Sequence, residues 1–71
     1  MKKFDYADVV RVVRAASSGL RQGARAWIVG VFEDRPGKYF DQFPPGVVYS
    51  IEYEDGSSIE VHESMLEKWT D

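Results

Sequence analysis

Two short runs of alternating apolar and polar residues, separated by three residues, constrain this chain most. Val47-Val48-Tyr49-Ser50-Ile51-Glu52-Tyr53 precedes Glu54-Asp55-Gly56, and Ser57-Ser58-Ile59-Glu60-Val61 follows. A period of two places alternate side chains on opposite faces of an extended chain, so the pair reads as a β-hairpin. Parity sets its register. Tyr49, Ile51 and Tyr53 must share a face with Ile59 and Val61, so opposed residue numbers must sum to an even value. A two-residue Asp55-Gly56 turn fails that test. A three-residue loop, with Gly56 in the left-handed position of a bulged turn, opposes Ile51 to Ile59 and Tyr49 to Val61. Glu52 and Glu60 then point outward together.

The segment Ala24 to Phe32 reads as a second strand. Strict alternation puts Ala26, Ile28, Gly30 and Phe32 on one side and Trp27, Val29 and Val31 on the other. Both faces are apolar, as in a central strand. Gly30 leaves room for a bend or a close neighbour, which suits a strand that curls as in a barrel. Asp8 to Arg14 has two readings: its valines favour a strand, while Asp5 would cap a helix ending at Gly19. The β-branched content favours the strand. Ala15 to Gly23 reads as a loop. The tail from Glu63 to Trp69 is too short for an independent helix, but one helical turn there would bring Leu66, and Trp69 with it, to the core.

Length and composition support a single domain over residues 1–71, and the strands read above make it all-β. Seventy-one residues suffice for one small core, and a 44% hydrophobic, 14% aromatic chain has the means to form it. The chain has no cysteine, which excludes disulfides and thiolate metal sites and fits a reducing cytoplasm. No apolar run approaches the ~18 residues of a membrane span. The net charge of -3 hides a split: residues 1–38 carry eight cations against four acids, a net +4, and residues 39–71 carry Lys68 against eight acids, a net -7. Such an acidic half repels phosphate and attracts a basic protein.

Catalytic chemistry is poorly supplied, with no thiol, no Gly-x-Ser-x-Gly elbow, no phosphate-binding glycine loop and a single histidine. We therefore expect no enzyme and no cofactor. His62 reads as a strand-end imidazole paired with a carboxylate. Glu60, His62 and Glu63 offer metal ligands by type, but alternation sends Glu63 to the opposite face, so no metal site is expected. Arg11, Arg14, Arg21 and Arg25 would form a cationic groove for nucleic acid, but the acidic hairpin opposes phosphate. The expected partner is a protein. Glu52, Glu54, Asp55 and Glu60 would attract a basic site, with Tyr39, Phe40 and Phe43 of the long loop Asp34 to Gly46 as anchors. Two plainer readings stay open: the acids as a solvated face, and Phe40 and Phe43 as a lid on an open barrel end.

The order of these features also carries a resemblance. A Val-rich strand after Phe4-Asp5-Tyr6, then Gly23-x-x-Ala26-x-Ile28-x-Gly30, Tyr49-x-Ile51 and Glu63-x-x-Leu66 follow one another along most of the chain. This pattern resembles small SH3-like barrels, and more narrowly the small immunity proteins of bacterial polymorphic toxin systems that carry this barrel. Ala26 stands where that pattern usually has glycine, and the insert at 34–46 is longer than the family loop. The resemblance implies a small five-stranded SH3-like barrel with a short C-terminal helical turn, acting in the bacterial cytoplasm to neutralise a toxin as an antitoxin; a monomer is favoured, with the oligomeric state open. Such barrels also resemble DNA-mimicking antirepressors, whose partner is a transcription regulator.

Overall fold

The computed structural model describes residues 2–13, 21–34 and 37–70. They form one antiparallel sheet of five strands: β1 (Val9–Val12), β2 (Arg25–Phe32), β3 (Val48–Tyr53), β4 (Ser58–His62) and β5 (Leu66–Lys68). The only helical pieces among them are two 3-10 turns, Lys38–Gln42 before β3 and Glu63–Met65 between β4 and β5. The strand order is β4-β3-β2-β1-β5. The sheet is open, with β4 and β5 as its two edges.

The hairpin forms as the parity argument requires. Tyr49 faces Val61 and Ile51 faces Ile59. The Tyr53 amide donates to Ser57 O at 2.8 Å, and Gly56 takes φ 89°, which a residue with a Cβ adopts at a cost. Residues 9–12 are a strand, as their valines suggested, and Asp5 caps no helix; its amide instead donates to the Asp8 carboxylate at 2.8 Å. The loop expected from Ala15 to Gly23 lies mostly outside the described residues.

Two edges at opposite ends of the sheet order are joined by only three residues, 63–65. That connection requires the sheet to curl until its edges lie one turn apart. Curling is also how a single layer buries one face. Val10, Val12, Ala26, Tyr49 and Ile51 have no solvent exposure, and with Phe4, Ile28, Tyr53, Val61 and Leu66 they line the concave side.

The bend is built into β2. Ile28 faces Ile51, but Gly30 faces Ser50, so Val29 is an extra residue that the partner strand does not match. This bulge corrects the strict alternation expected for β2. Beyond it the faces exchange: Val31, opposite Tyr49, packs against the core, whereas Gly30 and Phe32 turn to the convex face and Val29 is exposed. Gly30 provides space there, since a Cβ would lie 3.0 Å from Ser50 Cβ and 3.3 Å from the Phe32 ring.

The tail differs from expectation in kind. One 3-10 turn forms, and Leu66 then reaches the core as the first residue of a short strand, with Val12 as its partner. Trp69 remains half-buried beside Arg25 rather than joining the core.

Tyr49 ties the N-terminal segment to this core. Its buried hydroxyl accepts from the amides of Lys3 at 2.8 Å and Phe4 at 3.1 Å, and the Phe4 ring meets it edge-on at 5.4 Å. Tyr49→Phe keeps the ring and strands both donors. It is expected to lower stability by about 1–2 kcal/mol, seen as a Tm roughly 5–15 °C lower, with faster amide exchange at Phe4.

Candidate functional site

The exchange of faces at Val29 creates a second, smaller apolar cluster on the convex side. Phe32 and its β3 partner Val48 form the floor. Phe40, from the 3-10 turn of the long loop, packs on Phe32 with ring centroids 4.9 Å apart, and Phe43 lies 6.3 Å from Phe40. Tyr39 stands edge-on to both, at 5.1 Å from Phe40 and 6.0 Å from Phe43. Phe40 is only 9% exposed and Tyr39 53%. The three expected anchors therefore divide into a buried foundation, a half-buried flank and one exposed ring.

Polar contacts fix this ring in place. The Tyr39 hydroxyl donates to Glu60 Oε1 at 2.8 Å, and Ser50 Oγ donates to Glu60 Oε2 at 3.4 Å. The phenol is raised above its ordinary value, first by that hydrogen bond to Glu60 and then by burial. Gln42 Nε2 donates back to Tyr39 O at 2.8 Å, holding the turn.

His62 secures the far end of the loop. Its Nδ1 accepts from the Ser64 amide at 3.2 Å, which leaves the ring proton on Nε2 to donate to Pro45 O at 2.9 Å. The expected carboxylate partner is thus replaced by a carbonyl and Ser64, because the β4 end turns at once into Glu63–Met65 and presents the imidazole as the cap of that turn. With both nitrogens engaged and 8% exposure, this histidine is a structural clasp. Gly46 makes the clasp possible: its φ is 128°, and a Cβ there would lie 2.9 Å from His62 Nε2 and 2.7 Å from Glu63 Oε2.

The four acids named from the sequence separate into two pairs. At the hairpin tip, Arg25 Nε donates to Glu54 Oε1 at 2.9 Å and Arg21 pairs with Asp55 at 3.0 Å. Asp55 is lowered to about 2, first by the Ser57 hydroxyl, then by the Ser57 amide and by Arg21. On the convex face, Glu52 and Glu60 are diagonal neighbours across β3 and β4, and no cation pairs with either among the described residues. Among the described residues, the charge split of the sequence is neutralised at the hairpin tip and kept beside the aromatic loop.

The arginines considered for a nucleic-acid groove are paired with acids where they are described. Arg11 pairs with Glu67 across β1 and β5, Arg21 and Arg25 are taken by the hairpin, and Arg14 lies outside the described residues. Arg25 also lies over Trp27 and Trp69, 5.4 and 5.6 Å from their rings, and Arg21 covers Tyr53 at 4.4 Å. Sequence reasoning missed Phe32 as the floor of the loop and the two tryptophans around Arg25. Only the unmatched Val29 would have revealed the first, and the strand character of residues 66–68 the second.

No protein family model matches the chain, and comparison with curated proteins and with solved structures finds no match. No helix among the described residues is long and apolar enough to cross a membrane.

Two expectations follow. Because the folded-state value of Asp55 is depressed, its contribution to stability is complete above the free-carboxylate range near pH ~4 and fades as pH falls toward about 2. Thermal unfolding of Asp55→Asn across that range should therefore lack part of the acid-side decline of the parent. Gly46→Ala should cost about 2 kcal/mol from the left-handed backbone and the crowded His62, measurable by urea unfolding, with the Pro45 end of the loop loosened.

Proposed function

We propose that this chain is a non-catalytic protein-binding module on an SH3-like barrel scaffold. Its strand order, the bulge that bends β2 and the 3-10 turn that links β4 to β5 support that scaffold, alongside the motif order in the sequence. The specific role we propose is that of a cytoplasmic immunity factor that occludes a basic site on a toxin. One observation carries the binding reading: an exposed tyrosine, built on a buried aromatic foundation and held by a carboxylate that no cation among the described residues neutralises. A rigid aromatic with little entropy to lose, beside negatively charged carboxylates, is the surface that a basic protein partner recognises. Tyr39 is the anchor, Phe40 and Phe43 support it, and Glu60 with Glu52 supplies the attraction. Glu54 and Asp55 contribute less, since Arg25 and Arg21 already neutralise them.

The test begins with partners captured from native-host lysate in the presence of nuclease, and then uses the purified pair. Tyr39→Ala should weaken binding by about 2 kcal/mol, roughly thirtyfold, with the fold unchanged by circular dichroism. Glu60→Gln should slow association and flatten its salt dependence. Unchanged affinity in Tyr39→Ala would sink the proposal. Recovery of a DNA-binding regulator that operator DNA displaces would replace the toxin with a transcription regulator as the partner.

A further inference from the structure

The β4 edge of the sheet is chemically unusual. Residues 57, 59, 61 and 63 direct their backbone groups toward β3, as the Tyr53–Ser57 and Val47–Glu63 hydrogen bonds at the two ends establish. The amides of Ser58, Glu60 and His62 and the carbonyls of Ser58 and Glu60 consequently point away from the sheet, and no strand or loop among the described residues pairs with them, while the His62 carbonyl serves the 3-10 turn that His62 caps. Natural edges of this kind are commonly guarded by lysine, proline or a bulge. β4 has none of these: from Tyr39 through Glu67 the sequence contains no lysine or arginine and seven acids, and β4 pairs with β3 without a register shift. Ile59 on the concave side is only half-buried, and β4 is an edge of the sheet among the described residues.

We propose that β4 is a β-augmentation site for an extended segment of a basic protein, in which lysine or arginine alternates with apolar residues. This rests on the proposed basic protein partner and specifies how that partner is held. Added as a sixth strand, the segment satisfies the outward backbone groups of Ser58 and Glu60 and the His62 amide. Its basic side chains fall on the convex face beside Glu60, within reach of Glu52 and next to Tyr39, and its apolar side chains cover Ile59. A second copy of this chain is a poor occupant. The antiparallel register that pairs all of β4 with itself sets Glu60 directly against Glu60, which is destabilising.

Ser58→Pro tests the edge without touching the charges. The Ser58 amide points outward, so proline removes no bond within the sheet, yet it blocks an added strand. The probe is a roughly ten-residue peptide alternating lysine with valine or threonine, beside a control with glutamate in place of lysine. Hydrogen exchange by NMR should show the Ser58, Glu60 and His62 amides slowed about tenfold or more by the lysine peptide and unchanged by the control. Ser58→Pro, with its fold checked by the same spectra, should abolish that binding.

Binding of the lysine peptide that leaves these amides unprotected, or that survives Ser58→Pro, would overturn the proposal. If Tyr39→Ala still abolished such binding, the aromatic and acidic surface would stand without the edge. A lysine peptide that does not bind at all would overturn the edge proposal, while the effect of Tyr39→Ala on the purified partner would judge the binding module separately. Concentration-dependent dimers in sedimentation, with β4 amides protected in the absence of peptide, would overturn it in favour of a second copy.

Discussion

A single sheet with no second layer has one way to keep an apolar face dry, which is to curl over it. Here the curl is imposed at two places: the unmatched Val29 bends β2, and the three-residue link between β4 and β5 draws the two edges together. Burial of Val10, Val12, Tyr49 and Ile51 depends on that geometry, since each projects from a strand that would otherwise present it to water. At about 25 cal/mol per Å² of apolar surface buried, these side chains are the main favourable term in so small a domain, with no disulfide to share the task.

The bulge has a second effect, on the opposite face. By exchanging the faces of β2 it sends Phe32 outward, and Phe32 is what Phe40 packs against. The long loop thus has its own apolar support, separate from the concave core, and is tied at its far end by the His62 clasp to Pro45. A loop of this length would ordinarily be mobile. Exposed ion pairs add little to this framework, at about 0–1 kcal/mol each, but they decide which charges remain available on the surface.

Legibility in the sequence followed the range of the interaction. The hairpin was readable to the residue because its register depends on parity over a dozen neighbouring positions, and Gly56 marked the turn. The strand at Val9–Val12 was readable from β-branched content. The bulge was not, because an extra valine in an apolar strand leaves the pattern looking unbroken. A strand as short as Leu66–Lys68 carries too little periodicity to stand out, and only its partner β1 defines it. In the candidate site, Tyr39, Glu52 and Glu60 could be placed together in advance as outward positions. The neutralisation of Glu54 and Asp55 by arginines some thirty residues away could not be foreseen, nor could the replacement of a carboxylate by Pro45 beside His62.

The strand order has a consequence for how the chain emerges during synthesis. β2, β3 and β4 follow one another and pair in sequence, whereas β1 lies between β2 and β5, the last of these five strands to be made. At ~5–20 residues per second, the 54 positions from Val12 to its partner Leu66 take roughly 3–11 s to translate. Throughout that interval β1 has one neighbour at most, and Val12 lacks the leucine that covers it. The meander can settle on the ribosome, but the concave core is complete only when the final strand clears the exit tunnel.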